Sequence, residues 1–427
     1  MTVKASKALA VGRAHTDRTA PFSVPVLFWV AGTVSILTGF WRLWAVRDLL
    51  LAGDIGQGPV IAAVHLFTLG GLTMLMMGAL YQLTPVLLNC DPVPAKRSVM
   101  QWGIYTAGVA FFVTGLNGTV PAALWIGGSG IMVGLAFFLV NMFQRFRQRQ
   151  TWNITAWFFA ASLFYLGLTA VMGALLVLRY ITGWPSFADE LPIHLAIALG
   201  GWFGLLVAGA SYRLWAMFGR KHREPRYWRG TWTLANFSVL GLVFGDIGGW
   251  RWVTALGWVS QLVAFVLYSA DIAEGGLFDH RTMKDPALRV LGPSMGFLAV
   301  WEILGSVALF GHYGGWWIPA LFAYVLGWVG MTFLGFVQKI LPFMVWLHRY
   351  AHTHGHGKMP RLDDIWRPSW AYGPLFGAAS GVALLIIGWG VKSPALFTAG
   401  IALQMAAWLL LLAAGVKAVQ GPHRLPE

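Results

Sequence analysis

Two histidines sit where an imidazole is hard to accommodate. His65 and His194 each fall about five residues inside a long apolar run, and ionisable groups at such depth are functional candidates by default. A neutral imidazole there can ligate heme iron or copper. The plainer reading is a hydrogen bond to a neighbouring helix or carbonyl. A second group lies in HRYAHTHGHG, with His348, His352, His354 and His356. His348 and His352 are four apart and would share one face of a continuing helix. That loop could bind Cu, Ni or Zn, or it is simply a solvated basic loop.

Arg42, Arg213, Asp246, Asp271, Glu302 and Lys339 also fall within apolar runs. Arg213 and Lys339 lie near run ends and can extend to the interface. Asp246 and Glu302 are deeper, where they would serve a proton or cation path or pair with a base. Asp189 and Glu190 precede the run that carries His194. The chain has one cysteine, Cys90, which excludes intrachain disulfides, Cys-ligated zinc and iron–sulfur clusters. Phosphate loops, dinucleotide fingerprints, HExxH and serine-nucleophile motifs are not evident.

The elements that must position these groups follow from composition. Of 427 residues, 57% are hydrophobic and 11% charged, against about 25% charged in soluble domains. A soluble enzyme, a disordered chain and a nucleic-acid-binding module are excluded. Twelve apolar stretches reach membrane-spanning length: 24–46, 60–88, 99–118, 121–142, 154–180, 191–218, 231–249, 253–275, 291–311, 317–347, 370–391 and 394–418. They are continuous and do not alternate, so strands are not expected. The fold class is all-α, a polytopic membrane protein with one domain over 23–418 between tails 1–22 and 419–427. The first tail has no signal-peptide apolar core.

Basic residues cluster in the N-terminal tail, alternate loops and the C-terminal tail, whereas the other loops hold only Arg47, Arg179, Arg251 and Lys392. The positive-inside rule then places both termini in the cytoplasm. The formal charge of +14 is read as topology and attraction to anionic lipid, with no nucleic-acid partner.

The chain also repeats itself. Span 2, AVHLFTLGGLTMLMMGALYQLTP, matches span 6, HLAIALGGWFGLLVAGASYRLWA, and span 10, ALFAYVLGWVGMTFLGFVQKILP. Gly70, Gly78 and Tyr81 superpose on Gly201, Gly209 and Tyr212, then on Gly327, Gly335 and Gln338. Three four-helix pseudo-repeats are expected over 23–150, 151–282 and 283–418. In this register His194 matches Ala63 and His65 matches Ala196. Small residues eight apart lie near one helix face, where they admit another helix or a flat ligand.

These residues resemble a known family. The small-or-His pair followed by Gly, Gly and Pro is similar to helix 2 of NnrS-type membrane proteins. The twelve-span, three-arc layout with histidines in the outer half of spans 2 and 6 resembles heme-copper oxidase subunit I. GHYGGWWIPALFAYVL resembles the oxidase segment entering helix 10, with His312 at the histidine of its HDTY motif. The sequence departs from the oxidase pattern at helix 10, where Ala320 and Phe322 occupy the His-x-His positions, and at helix 7, where FGDIGGW replaces a His-His pair. The three-histidine copper site cannot be assembled as in the oxidases.

The resemblance implies one b-type heme with His65 and His194 as axial ligands, serving electron transfer or handling of O2 or NO. Gly70, Gly71, Gly200 and Gly201 would leave room for the macrocycle. Arg47, Arg179, Arg251 and Lys392 would meet the propionates, and His312 would act from behind the ligands. Copper is the second choice of metal. Expected partners are the bilayer of an inner or plasma membrane and a cytochrome, quinol or further membrane subunit. The alternative is a cofactor-free transporter or scaffold on the same frame.

Overall fold

The structure is a computed structural model that describes residues 19–184, 190–218, 224–277, 285–351 and 360–421. Its elements are all helical, with no strand among the described residues. Eleven helices are long and apolar enough to cross a membrane. They are α1 (Ser23–Ala45), α2 (Gly58–Leu88), α3 (Ala95–Gly118), α4 (Pro121–Arg147), α5 (Ile154–Thr182), α6 (Glu190–Phe218), α8 (Arg251–Glu274), α9 (Pro286–Phe310), α10 (Gly314–Arg349), α11 (Pro368–Gly390) and α12 (Pro394–Gln420). The remaining expected span is a helix as well, α7 (Trp228–Gly248), but it falls short of the required apolarity. Arg229, Asn236 and Asp246 interrupt its apolar run.

Helix ends follow from local chemistry. Asn153 caps α5 by accepting from the Ala156 amide at 2.9 Å, and Ser393 caps α12 through the Leu396 amide at 3.4 Å. Proline opens α4 and α12 at a position where no intrahelical N–H is needed. Gly183 and Gly249 end α5 and α7 in the left-handed conformation.

α3–α4, α7–α8 and α11–α12 form three tight hairpins. In each, glycine lets one backbone lie against the other. A Cβ on Gly108 would lie 2.6 Å from the Ile131 nitrogen, one on Gly257 2.7 Å from the Leu242 nitrogen, and one on Gly388 2.6 Å from the Phe397 nitrogen. Real Cβ atoms do not approach so closely. Without a hydrophobic force between helices in lipid, such small-residue contacts supply the packing. The turns carry Thr119, Gly249 and Lys392 at positive φ.

α1, α5 and α9 pack on α2, α6 and α10 respectively. Those three are the inner helices, with 72%, 61% and 83% of their apolar windows buried, against 50% or less elsewhere. Bulky apolar side chains such as Phe143, Phe164 and Trp252 face outward, as expected where lipid replaces water. Gly257→Ala should therefore weaken the α7–α8 hairpin by about 1–3 kcal/mol, lowering the apparent melting temperature in detergent. Gly103→Ala, with nothing within 4 Å of its Cβ position, should leave it unchanged.

Candidate functional site

Each inner helix changes its winding at one level. α2, α6 and α10 become π-helical over Leu66–Thr73, Ala196–Gly204 and Phe322–Gly330. The wider turn loosens the regular ladder of backbone hydrogen bonds, and such segments are frequent at functional sites. In a membrane the loosened carbonyls need other donors. Ser35 Oγ donates to Leu66 O at 3.0 Å, and Tyr105 OH to Leu69 O at 3.1 Å. Tyr324 OH, from α10, donates to Leu199 O on α6 at 2.8 Å. Trp202 Nε1 donates to Thr73 Oγ1 at 3.1 Å, tying α6 to α2. His65 immediately precedes the first π segment and His194 stands two residues before the second. Apolar periodicity carries no signal for this feature, and the sequence reading missed it.

Beside these segments lies a cavity of about 1130 Å³, walled mainly by apolar side chains. That is slightly above the roughly 300–1,000 Å³ of common ligand sites. His65 and His194 both line it. His65 Nδ1 lies 2.8 Å from Ile61 O, four residues back on its own helix. A carbonyl can only accept, so Nδ1 carries the proton and Nε2 keeps its lone pair. The His65 ring also meets the edge of Phe112 at 5.3 Å. His194 Nδ1 is enclosed and has no hydrogen-bond partner. Gly173 gives the His194 ring room: a Cβ there would lie 3.5 Å from Cε1.

The opposite wall is polar and aromatic. Thr254, Trp258 and Gln261 line the cavity from one face of α8. Thr254 Oγ1 donates to Asp246 Oδ1 at 3.3 Å. Gln261 Nε2 donates to both oxygens of the buried Glu302 carboxylate, at 3.1 and 3.3 Å. Trp301, Trp317 and Tyr324 complete this wall. Trp258 and Trp301 were not singled out from the sequence, whereas Trp317 and Tyr324 belong to the GHYGGWWIPALFAYVL segment.

Among the bases proposed for propionates, Lys392 alone borders the cavity. Its Nζ donates to Leu51 O at 2.9 Å and sits 3.7 Å from the Trp389 ring centre. Arg47 pairs with Asp48 at 3.4 Å and stacks on Trp44. Arg179 forms an ion pair with the buried Glu190. Arg251 opens α8 on the exposed side. His312, at φ 58°, is exposed on the link before α10, whereas Gly314 and Gly315 just after it are on the cavity wall. His348 lies at the far end of α10 with its ring edge 5.7 Å from Phe22. His352, His354, His356 and Asp189 lie outside the described residues. Among the described residues no three His, Cys, Asp or Glu side chains converge as a metal site.

The paired glycines serve helices rather than a flat ligand. A Cβ on Gly71 would lie 2.5 Å from Ile36 Cγ1, Gly70 is covered by Ser35, and Gly201 by the Tyr165 ring. Of the four, only Gly200 borders the cavity. Asp271 does not border the cavity; it accepts from Tyr212 OH at 3.0 Å and from the Arg226 and Tyr227 amides at 2.7 and 2.9 Å.

No family model and no curated protein matches the chain. A solved structure does: a heme-copper terminal oxidase, determined as a dimer by cryo-EM, superposes with a TM-score of 0.59 over 94% of this chain and 85% of that one. Identity is 10%, so the likeness concerns the fold. The fold is heme-copper-oxidase-like.

The cross-helix carbonyl bond gives a direct test of the π-helical level. Tyr324→Phe leaves Leu199 O without its donor and should cost about 1–3 kcal/mol of stability. Thr114→Ala, removing an exposed bond to Ala110 O, should be close to neutral in the same melting experiment.

Proposed function

We propose that this protein is a heme-copper-oxidase-like membrane protein that holds b-type heme between His65 and His194. It would serve electron transfer or the handling of O2 or NO, without the full oxygen-reducing copper site. One observation carries the reading: two imidazoles from different inner helices face one apolar cavity. Histidine that ligates through Nε2 keeps its other nitrogen protonated, commonly on a carbonyl. His65, with Nδ1 on Ile61 O, has that arrangement already. His194 Nδ1 has no such acceptor, so ligation through Nε2 would leave its N–H unpaired.

A heme held between the two imidazoles would supply a one-electron couple, and O2 or NO would reach the iron only by replacing one of the two rings. The chain's own groups then exclude water through the cavity's aliphatic lining and orient each ring through its packing. Lys392 is the base best set to meet a propionate, with Arg47, Arg179 and Arg251 farther out and His312 behind the cavity wall. The π-helical segments at Leu66, Ala196 and Phe322, and the three glycine hairpins, support three four-helix repeats and twelve spans once α7 is counted. We place both termini in the cytoplasm on the loop charges. The helix 2 pattern makes NnrS-type proteins the preferred relatives, and a cytochrome, quinol or membrane subunit the preferred partner. Copper at the two histidines would need a further ligand.

A transporter on the same frame is the second reading, favoured by Gln261, which links the cavity wall to the buried Glu302. Proton- or metal-driven uptake into liposomes that disappears in Glu302→Gln would support it, and uptake unaffected by that change would remove it.

Absorption spectra test the preferred reading. His65→Ala and His194→Ala should each convert a low-spin spectrum to high-spin or abolish heme retention. The double variant should be scarcely worse than either single one, because two halves of one clamp are not additive. A normal low-spin spectrum in His194→Ala would refute the paired clamp, and a heme-replete, folded protein without a Soret band would refute heme binding altogether.

A further inference from the structure

Oxidisable rings form a continuous file from the cavity toward the opposite end of the bundle. Trp258, Trp301 and Trp317 are mutual neighbours on the cavity wall, with ring centres 5.4–5.8 Å apart. Trp301 meets Tyr324 at 4.8 Å, and Tyr324 meets Trp328 at 5.1 Å. Trp328 meets Tyr268 at 6.2 Å, and Tyr268 meets Tyr212 at 5.7 Å. Apart from Trp317, every ring in the file is buried. The Tyr212 hydroxyl then donates to Asp271 Oδ2 at 3.0 Å. Trp258 and Asp271 are thirteen residues apart on α8, so the file covers about 20 Å of the bundle's length.

Packing alone accounts for buried aromatic rings, but not for the distribution of proton acceptors along this file. The indole nitrogens of Trp301 and Trp328 have no hydrogen-bond partner. Tyr324 donates to a backbone carbonyl, which is a poor base. Tyr212 donates to a carboxylate. An oxidised indole in the middle of the file cannot shed its proton to the protein, whereas an oxidised Tyr212 can.

We propose that these rings are an electron relay that delivers single electrons to a one-electron oxidant in the cavity and ends at the Tyr212–Asp271 pair. The cavity oxidant takes one electron from the Trp258–Trp301–Trp317 cluster and is reduced by one. Electrons then pass ring to ring toward the cavity. Tyr212 finally loses one electron while its phenolic proton moves to Asp271, which yields a neutral tyrosyl radical and a protonated carboxyl group. The relay thereby removes a damaging oxidant from the cavity and carries the equivalent to the far end of α8.

The test supplies its own oxidant and does not depend on bound heme. Tyr313 is 63% exposed and adjoins Gly314 and Gly315 on the cavity wall, while Cys90 is buried. A ruthenium polypyridyl label is attached to the thiol of Tyr313→Cys and photo-oxidised with a sacrificial acceptor. Electron paramagnetic resonance and transient absorption should find an indole radical followed by a tyrosyl radical. Adding Tyr212→Phe should remove the tyrosyl signal and leave the indole one, and Trp328→Phe should block the transfer. Asp271→Asn should slow tyrosyl formation by about a hundredfold, as loss of a positioned base does. Oxidation that stays in the tryptophan cluster, or a tyrosyl radical formed equally fast in Trp328→Phe, would overturn the proposal. Trp328→Phe conserves an apolar ring, so the test stands even where Tyr212→Phe lowers folding yield.

Discussion

Inside a bilayer no backbone carbonyl can be left to water, and this requirement organises the centre of the molecule. Three inner helices widen into π turns at one level, and each loosened carbonyl that gains a donor takes it from a neighbouring helix. Ser35 and Tyr105 serve α2, and Tyr324 reaches across from α10 to Leu199 on α6. The Tyr324 bond ties α10 to α6, and Trp202 Nε1 on Thr73 Oγ1 ties α6 to α2, beside the cavity that His65 and His194 line. A cavity of this size beside so many backbone groups needs rigid walls, and the side-chain donors supply them.

Glycine supplies the second constraint. Apolar side chains gain little by leaving lipid for a protein interior, so helices associate through close van der Waals contact. Gly108, Gly257 and Gly388 bring backbones together in the outer hairpins, while Gly71 and Gly201 seat α1 and α5 on the inner helices. The cavity is what remains between these tightly seated units, and it is bounded by helices drawn from every part of the chain.

Much of this was legible in the amino-acid sequence. Span edges agree with the helices within about five residues, because continuous apolar runs leave little choice of length. His65 and His194 border one cavity, in keeping with their similar depth in spans 2 and 6, although the repeat register sets them two residues apart. The role of the paired glycines was not legible. A small residue signals close approach without naming what approaches, and here it is Ile36 and Tyr165 rather than a ligand. Arg179 read as a free base because its partner, Glu190, comes close only once α5 and α6 are packed. The aromatic file draws on α6, α8, α9 and α10, and no spacing within one helix announces it. α7 was expected to match the other spans, yet Arg229, Asn236 and Asp246 make it the least apolar.

The central claim is that two imidazoles from separate helices clamp one iron in this cavity. Near-infrared magnetic circular dichroism of the heme-replete protein, with heme quantified per chain, addresses it directly because the charge-transfer band identifies the axial pair. The account predicts a bis-imidazole signature in an amount equal to one heme per chain. A stoichiometric heme with any other axial pair, or a folded protein that takes up no heme, would contradict it.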